Sequence, residues 1–426
     1  MRPSDTWKTV AELADIPFSA SHVWPTLPLH AIERLAETTR STPIRCVANR
    51  DKYASGEYNV VIELVFDDGV VWIARIWTSH YEASRLPADV ISRKLRCEVA
   101  TLKLVKARTT IPVPTVFGFS VTSDNPIGLP YVFMSPLPGR TAEDLGFAWL
   151  LSGTPIPPEK MPLFETYCAS LADINLQLSE VTFDRIGSVY LDPSNSDSFV
   201  IGPDVDTGIM PCMSEAEFYA AYFDMLIRRA FVDYKEKEEE QDDVLFGLWL
   251  YSLFISTMSR SRELGPYRLC HRDLHDKNTL VDDSGRITGV LDWDFAACMP
   301  IEIFAADAHH FMRALVVENN HDQAVWFDVY QHALRHAEDV RDARGRDAKT
   351  ALHGHVLSDL HASVTVQLAR SISEVLIPGY WDSVALWIPL CKYMFGTEDW
   401  AHFQQSPIFK EWCTNQRARA TMYDQP

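Results

Sequence analysis

Hydrophobic residues recur with two different periods in the first third of the chain. β-Branched and aromatic residues dominate two neighbouring runs, and the Asp-Asp-Gly sequence at 67–69 between them is typical of a hairpin turn. Leu95, Val99 and Leu102 recur at helical spacing. The pattern predicts strands at 58–66, 70–77, 115–121 and 131–134 and a helix at 89–107. Strands around one helix, followed by a Pro- and Gly-rich break at 136–139, indicate a small α+β lobe.

Beyond residue 140 the pattern is mainly helical. Helices are predicted near 142–151, 157–180, 214–235, 243–264, 302–317, 322–340 and 346–374. A strand at 278–281, a turn at 282–285 and a return strand at 287–291 interrupt them as a predicted hairpin. We therefore expect a bilobal α+β fold with an N-terminal extension at 1–44, an N-lobe at 45–135 and a mainly helical C-lobe at 136–426.

Composition narrows the class of protein. The 426 residues are 47% hydrophobic and 23% charged, which is ordinary for a globular protein. The net charge of −19 argues against a nucleic-acid partner, because phosphate binding requires a basic face. The eight Cys residues lack metal-ligand spacing and are expected to be buried and reduced. No apolar leader is visible, and the longest apolar run, 244–255, is too short for a bilayer, so we expect no membrane association and a cytoplasmic location.

The stretch from His271 to Asp294 carries the residues of a candidate phosphoryl-transfer site. Asp273 and Asn278 precede the predicted hairpin, and Asp292 follows it. Because a hairpin brings its two ends together, we expect Asn278 and Asp292 to lie side by side. Two hard oxygen ligands with a third carboxylate nearby suit Mg²⁺ better than zinc.

This spacing resembles the catalytic core of the aminoglycoside phosphotransferase and choline kinase-like family, which shares the protein-kinase fold. The family pattern is H-x-D-x-x-x-x-N, a hairpin, and then [IL]-D-[FW]-[DE]. The resemblance implies that Asp273 is the catalytic base and that Asn278 and Asp292 coordinate the metal. It implies a structural role for His271 and leaves Asp294 as either a metal ligand or a salt-bridge partner.

Two residues of the motif depart from the commoner family form, H-G-D-L-H-P-x-N. Arg272 stands at the Gly position and Asp276 at the Pro position. Neither change removes a catalytic group, but Asp276 adds negative charge beside the base. In other details the sequence resembles a large fungal branch of these proteins, and that resemblance does not fix the substrate.

The resemblance also implies a nucleotide-binding half of the site in the N-lobe. Arg75 stands where protein kinases carry the Lys that binds the α- and β-phosphates, and its planar guanidinium can bridge phosphate and carboxylate. Glu98 fits the partner of that residue on the following helix. No GxxxxGK[ST] sequence is present, which excludes a P-loop nucleotide site.

Two further segments complete the expected nucleotide site. Gly56 and Asn59 fit a short turn over the phosphates, although a plain hairpin turn explains them equally well. The segment at Met134 and Ser135 resembles the family hinge, whose backbone groups hydrogen-bond adenine. Ser135 replaces a common acidic residue, and a backbone contact tolerates that change.

The resulting prediction is an ATP- and Mg²⁺-dependent phosphotransferase that moves the γ-phosphate to a hydroxyl of a small molecule. A protein substrate is disfavoured, because no activation segment ending in Ala-Pro-Glu follows Asp292. Two alternatives remain open: a non-catalytic nucleotide- or metabolite-binding protein on a kinase scaffold, and nucleotidyl transfer on the same scaffold.

The acceptor is described only by its class. Aromatic residues of the C-terminal half are candidates to line an acceptor pocket: Trp326, Tyr330, Tyr380, Trp381, Trp387, Tyr393 and Trp400. An acidic pocket with aromatic walls would suit a cationic or amine-bearing acceptor, which is a hypothesis from composition alone. The sequence does not fix the oligomeric state.

Overall fold

The chain forms two lobes, each with its own antiparallel sheet structure. The computed structural model describes residues 2–14, 20–56, 58–78, 86–147, 156–234, 238–257, 265–307, 321–343, 356–368 and 384–420. A six-stranded sheet and one long helix form the N-lobe, and helices with two smaller sheets form the C-lobe. The predicted bilobal α+β fold is therefore confirmed. The boundaries at residues 44 and 135 stay predictions.

The N-lobe contains the strands and the helix that the hydrophobic pattern predicts. Its helices are α1 Val10–Ala14, α2 Leu29–Thr39 and α3 Ala88–Arg108, with 3₁₀ turns at Pro3–Asp5, Ala20–His22 and Trp24–Thr26. Its strands are β1 Cys46–Ala48, β2 Ala54–Ser55, β3 Asn59–Phe66, β4 Val71–Trp77, β5 Val116–Ser120 and β6 Tyr131–Met134. They pair in the order β1-β3-β4-β6-β5, with β2 added to β3. Gly69 has a φ of 82°, which the β3–β4 turn requires and which Gly adopts without strain.

The two faces of the N-lobe sheet have different partners. Val60, Ile62 and Leu64 of β3 are fully buried in a core that also contains Ile32 of α2. The alternate residues of β3, which include Val61, point to the opposite face, where α3 packs. Helix α2 and the residues just before it thus cover one face of the sheet, and the other face borders α3 and the cleft.

The C-lobe helices surround a large continuous core. They are α4 Met161–Glu180, α5 Glu215–Asp233, α6 Glu238–Thr257, α7 Ile301–Ala306, α8 His321–Ala343, α9 Leu357–Ala362, α10 Val384–Phe395, α11 Trp400–Gln404 and α12 Pro407–Ala420, with a 3₁₀ turn at Pro158–Lys160. In this core the amide nitrogen of Asn175 donates to the buried hydroxyl of Tyr330 at 2.8 Å, which joins α4 to α8. Burial of these apolar faces supplies the main driving force for the lobe.

Most of the strands of the C-lobe were not predicted by the sequence analysis. The strands are β7 Arg140–Thr141, β8 Thr182–Phe183, β9 Gly187–Asp192, β10 Asn195–Gly202, β11 Tyr267–Cys270, β12 Thr279–Val281, β13 Ile287–Val290 and β14 Ala297–Met299. Five of them form a sheet in the order β10-β9-β14-β11-β8, and β13-β12-β7 form another. Only the β12–β13 hairpin was predicted. The rest are short or rich in Ser, Asp and Asn, so tertiary pairing rather than local preference specifies them.

Two of the predicted C-lobe helices differ in the structure. The helix predicted at 142–151 is a single π-helical turn at Glu143–Phe147, where Gly146 has a φ of 94° that a helix cannot continue. Within the helix predicted at 346–374, the described part begins at Leu357 and is broken at Ser363, which is extended with φ −70° and ψ 142°; residues 364–368 are helical again. Residues 148–151, 258–264, 308–317, 346–355 and 369–374 of the predicted helices lie outside the described residues.

All eight Cys residues are buried and carry free thiols, as expected from their spacing. Burial raises the pKa of the Cys46 and Cys97 thiols to about 12. These thiols are therefore neutral small hydrophobic groups rather than nucleophiles. In the described part of the chain, no helix combines the length and the apolar character needed to cross a membrane.

Candidate active site

The β12–β13 hairpin brings Asn278 and Asp292 together, as its sequence predicts. Thr279 pairs with Val290 in the strand register, and the Leu291 N–H donates to the Asn278 carbonyl oxygen at 2.9 Å. This bond continues the ladder by one residue beyond the strands. The backbone of Asn278 is therefore fixed beside the residue that precedes Asp292.

The loop before the hairpin is held by its own polar groups. The amide nitrogen of Asn278 donates to the carbonyl oxygen of Asp273 at 2.9 Å and to its Oδ2 at 3.0 Å. His271 is buried: its Nε2 donates to the Leu291 carbonyl oxygen at 2.9 Å, and its Nδ1 accepts from the Asp273 N–H at 3.3 Å. Burial lowers the pKa of His271, so the neutral ring that these bonds require is favoured. His271 braces the loop against the hairpin.

His275 lies between two carboxylates of the same loop. Its Nε2 is 3.7 Å from Oδ2 of Asp273, and its Nδ1 is 3.6 Å from Oδ1 of the buried Asp276. Burial opposes the charged ring, but Asp273 and Asp276 outweigh burial and raise the pKa of His275 to about 9. The extra negative charge of Asp276, noted as a departure from the family pattern, thus faces His275. Sequence reasoning did not select His275.

Arg272 adopts a backbone conformation that favours Gly. Its φ is 69°, at the position where Gly is common in the family pattern. Two contacts hold it there: the Arg272 N–H donates to Oδ2 of Asp307 at 2.7 Å, and Nη1 donates to Oδ2 of the buried Asp204 at 2.7 Å. Asp292 also has a positive φ, 62°. Non-Gly residues in this region are uncommon and concentrate at functional sites.

Arg75 joins three elements at the centre of the site. It forms an ion pair with Glu98 of α3, and its Nη2 donates to Oδ1 of Asp292 at 3.0 Å. The carboxamide oxygen of Asn59, turned toward Arg75, accepts from Nη2 at 2.9 Å and from Nε at 3.1 Å. Burial raises the pKa of Glu98 to about 7, against the opposing effect of Arg75. The structure thus places the predicted Arg75–Glu98 pair directly above the end of the hairpin.

A second ion pair, which the sequence analysis missed, lies beside the first. Nζ of Lys94 is 3.0 Å from Oδ2 of Asp294 and 3.4 Å from the ring centroid of Phe295. Burial and the neighbouring Asp292 raise the pKa of Asp294 to about 6, although Lys94 opposes this. Of the two roles left open for Asp294, the geometry favours the salt-bridge partner. The signal in the sequence was the spacing of Lys94 and Glu98, since residues four apart share a helix face.

Gly56 and Asn59 form a tight turn at the roof of the site. The Gly56 N–H donates to the Asn59 carbonyl oxygen at 3.0 Å. A Cβ built on Gly56 would meet no atom within 4 Å, so the roof is open at this point. The contact of the Asn59 side chain with Arg75 gives this turn a connection to the site that a plain hairpin turn would not have.

Met134 and Ser135 lie where the N-lobe sheet ends. Met134 pairs with Ile73 of β4 and Val116 of β5, so its backbone belongs to the sheet. The Ser135 N–H donates to the Thr115 carbonyl oxygen at 2.9 Å, and its hydroxyl accepts from the Thr115 N–H at 2.9 Å. Among the described residues, no hydrogen bond ends on the Ser135 carbonyl oxygen.

One cleft of about 1260 Å³ between the lobes is lined by every predicted site residue: Gly56, Asn59, Arg75, Glu98, Met134, Ser135, Asp273, Asn278 and Asp292. Its walls carry six carboxylates, four Lys or Arg side chains and His275, whose raised pKa keeps it charged at neutral pH, so carboxylates outnumber cations by one. The predicted acceptor wall of C-terminal aromatics is not found among the residues described: Trp326 and Tyr330 are buried in the C-lobe core, and neither Tyr393 nor Trp400 lines the cleft. Tyr380, Trp381 and the side chain of Trp387 lie outside the described residues. Helical aromatics here serve packing rather than binding.

The donor set beneath Arg75 fits a hard divalent cation. Asp292 and Asn278 offer a carboxylate and a carboxamide oxygen, and the nitrogen of Asn278 is already bound to Asp273. Among the described residues, no three His, Cys, Asp or Glu side chains form a metal-binding group by themselves. Mg²⁺ commonly takes one or two protein ligands and draws the rest from water and phosphate, so this smaller set suits it.

Comparisons with known proteins show similarity to sequences from fungi. A subtelomeric hrmA-associated cluster protein of Aspergillus fumigatus is 31% identical over 165 residues, which make up 36% of this chain and 28% of that protein. Clavilactone A biosynthesis cluster protein Y of Ampulloclitocybe clavipes is 24% identical over 280 residues, or 63% of this chain and 65% of that protein. The chain thus matches less than a third of the length of the Aspergillus relative.

Two phosphotransferases are among the solved structures to which the chain is similar. A thermostable mutant of aminoglycoside phosphotransferase APH(4)-Ia, in ternary complex with AMP-PNP and hygromycin B, gives a TM-score of 0.45 at 14% identity, covering 85% of this chain and 97% of that chain. Macrolide 2'-phosphotransferase MphH from Brachybacterium faecium gives a TM-score of 0.41 at 16% identity, covering 82% of this chain and 98% of that chain.

The family assignment depends on the match to a family model. The model of the phosphotransferase enzyme family matches residues 53–315. This range contains Arg75, Glu98 and the whole β12–β13 hairpin with its flanking carboxylates. The match covers more than half of the chain, and the two-lobed structure agrees with a kinase-like fold. This chain therefore belongs to the phosphotransferase enzyme family.

Proposed function

We propose that the protein is an ATP- and Mg²⁺-dependent phosphotransferase that transfers the γ-phosphate to a hydroxyl group of a small molecule. One observation carries the proposal: a single cleft brings Asp273, Asn278 and Asp292 beneath Arg75. A base, hard oxygen ligands and a cationic phosphate partner are the parts that phosphoryl transfer requires.

The nucleotide would enter from the N-lobe side. Arg75 would bind the α- and β-phosphates while Glu98 holds its guanidinium in place. The open face of Gly56 leaves room for phosphate beneath the β2–β3 turn, and Asn59 keeps the far side of Arg75 bound. The Ser135 carbonyl oxygen would accept from the amino group of adenine at the hinge.

Asn278 and Asp292 would hold the metal. When bound, Mg²⁺ neutralises phosphate charge and orients the γ-phosphate for in-line transfer. Asp292 is held toward the cleft by Nη2 of Arg75, and Asn278 by its bonds to Asp273. These contacts fix the ligand positions before anything binds, which reduces the cost of reorganisation.

Asp273 would accept the proton of the attacking hydroxyl. The Asn278 amide bonds to both the carbonyl and the carboxylate of Asp273 and so fixes the direction of the side chain. The side chain is 26% exposed, which leaves it accessible from the cleft. Proton transfer to a positioned carboxylate of this kind contributes on the order of 10²–10⁴-fold in rate.

The charge of the cleft supports a cationic or amine-bearing acceptor. Of the cationic groups in its walls, Arg75 is paired with carboxylates of the site, and Lys277 lies 3.5 Å from Glu143. An amine-bearing acceptor would add a positive charge to a cleft in which carboxylates outnumber cations. Its size is bounded by the cleft, which suits a small molecule rather than a protein.

The experiment compares alanine variants of three aspartates in one hairpin region. Purified wild type, Asp273→Ala, Asp292→Ala and Asp283→Ala are incubated with Mg-ATP and a panel of hydroxyl-bearing amines and alcohols, and ADP and product mass are measured. Asp283 lies at the exposed hairpin turn and serves as the control. We expect turnover in the wild type and in Asp283→Ala, with none in the other two variants.

The product mass separates the alternatives. A product heavier by one phosphoryl group supports the proposal. A product heavier by a nucleoside monophosphate group shows nucleotidyl transfer instead. Nucleotide binding without turnover against the whole panel would indicate a non-catalytic binding protein. Unchanged turnover in both Asp273→Ala and Asp292→Ala would remove the assigned roles.

A further inference from the structure

The N-terminal segment at 2–14 lines the nucleotide side of the cleft. Pro3, Thr6, Trp7 and Lys8 contribute to the cleft wall together with Met134 and Ser135 of the hinge. The family match begins only at residue 53, so this wall is an addition to the part of the chain that defines the family. Two anchors fix the segment in this place.

The first anchor is a buried carboxylate on the sheet. The Ser4 N–H donates to Oε2 of Glu63 at 3.2 Å, and the Ser4 hydroxyl donates to Oε1 at 2.8 Å. Glu63 is fully buried, so these hydrogen bonds compensate a carboxylate that would otherwise be costly inside the lobe. The anchor therefore ties the segment firmly to β3.

The second anchor lies five residues further on. Thr9 pairs with Lys52 as an isolated antiparallel bridge, and the Val10 N–H donates to the Asp51 carbonyl oxygen at 2.8 Å. Nζ of Lys52 also donates to the Ser4 carbonyl oxygen at 3.1 Å, which links the two anchors. The residues between Ser4 and Thr9 are thus held at both ends.

The sheet register shows where this held stretch lies. Glu63 pairs with Ile73, and Ile73 pairs with Met134, so the three side chains form one row on the same face of the sheet. Trp7 packs against the apolar cluster that contains Ile73 and Met134 and is only partly buried. Its indole therefore lies beside the hinge, on the face of the sheet that borders the cleft.

We propose that residues 4–8 form a strap that completes the base end of the nucleotide subsite, with Trp7 as an aromatic wall for the purine. The inference rests on the nucleotide binding proposed above. An indole offers a flat, polarisable surface to a base, and stacking of this kind changes affinity by about tenfold or more when the ring is removed. The phosphate end of the nucleotide, at Arg75 and Gly56, would not contact the strap.

The test separates the base from the phosphates. Calorimetry measures the Kd of Mg-ADP for the wild type, Trp7→Ala and Trp412→Ala, and competition measures the Kd of Mg-tripolyphosphate, which has no base. Trp412 is the matched control, because it is a partly buried indole of the C-lobe outside the cleft. We expect Trp7→Ala to weaken Mg-ADP about tenfold or more, with tripolyphosphate unchanged and Trp412→Ala like the wild type.

Two further variants distinguish the loss of the indole contact from a loss of folding. Trp7→Phe keeps an aromatic ring and should retain most of the affinity. Ser4→Ala removes one strap contact to Glu63 without touching the cleft, and it should weaken Mg-ADP but not tripolyphosphate. Thermal unfolding of each variant reports whether the fold is intact.

Each remaining outcome overturns the inference. Equal Mg-ADP affinity in wild type and Trp7→Ala shows that the indole does not touch the nucleotide. Equal loss for Mg-ADP and tripolyphosphate shows a structural role alone. Failure of the wild type to bind any magnesium nucleotide overturns the proposed function itself, which distinguishes that failure from failure of the strap.

Discussion

Lys94 and Asp294 form a buried ion pair that crosses from α3 of the N-lobe to the segment that follows the β12–β13 hairpin, with Nζ 3.0 Å from Oδ2. Their side chains are 6% and 4% exposed. Lys94 precedes Glu98 by one helical turn, and Asp294 follows Asp292 by two residues. Helix α3 is therefore tied to the Asp292–Asp294 segment at two places, once through Arg75 and once through Lys94.

The Lys94–Asp294 pair predicts strong non-additivity between two variants. Lys94→Met should lower the free energy of unfolding by about 3–5 kcal/mol, because it leaves the buried Asp294 without its cation. Asp294→Leu should cost a similar amount for the converse reason. The double variant should be much less destabilised than the sum, since no buried charge remains unpaired. Urea unfolding of the four proteins measures this cycle, and additive losses would show that the pair is not coupled.

Glu98 should affect stability and activity in opposite directions. Its pKa in the fold is about 7, above the ordinary 4.5, because the buried site disfavours its charge. Between pH 4.5 and 7 the unfolded chain loses a proton that the folded protein keeps, so the free energy of unfolding falls as the pH rises through this window. At pH 8 Glu98 is ionised in both the folded and the unfolded state. The free energy of unfolding has then fallen by its full amount, on the order of 1–3 kcal/mol.

Glu98→Gln removes this loss and should be at least as stable as the wild type at pH 8. It also removes the charged partner of Arg75, so turnover should fall about tenfold or more. Unfolding measured between pH 4.5 and 8 should show a flatter profile for the variant. A variant that is less stable than the wild type at pH 8, with the same slope, would contradict the prediction.

Asn278→Ala should raise the Mg²⁺ concentration that half-maximal ADP binding requires by about tenfold or more, since it removes a proposed ligand. Excess Mg²⁺ should restore binding but not full turnover, because Asp273 also loses the amide that orients it. Asn195→Ala, at the first residue of β10, is the control. Calorimetry of ADP at a series of Mg²⁺ concentrations measures the effect, and an unchanged requirement would exclude Asn278 as a ligand.

Two substitutions at Arg272 should separate backbone strain from charge pairing. Both Arg272→Gly and Arg272→Ala lose the contact with Asp204 and should be less stable than the wild type. Gly accepts the φ of 69° without strain, so Arg272→Gly should be more stable than Arg272→Ala by about 1 kcal/mol. Thermal unfolding compares the two, and equal stabilities would mean that the loop relaxes to another conformation.

Local pattern was enough to predict the N-lobe strands, α3 and the β12–β13 hairpin. Their periodicity and turn residues are strong, and the hairpin alone required Asn278 and Asp292 to meet. The five-stranded C-lobe sheet was missed, because strands such as Ala297–Met299 gain stability only from partners far away in sequence. Lys94 with Asp294 was missed for the same reason, since 200 residues separate them.

The N-terminal segment shows a different limit of prediction from the sequence. Trp7 and Ser4 lie in a stretch without periodicity, and their positions depend on Glu63 and Lys52. A buried Glu in the middle of an apolar strand was the available signal, because it requires a partner. Nothing in the local sequence identified that partner as Ser4.

The pairing of Arg272 with Asp204 and Asp307 has a consequence for how such sequences diverge. A Gly at the Arg272 position would need neither acidic residue, whereas Arg adopts its positive φ while bound to both. The backbone conformation of Arg272 thus depends on two acidic residues, one just after β10 and one at the end of α7. Among related chains, loss of the Arg should accompany loss of an acidic residue at the position of Asp204, so that the three sites co-vary although they are far apart in sequence.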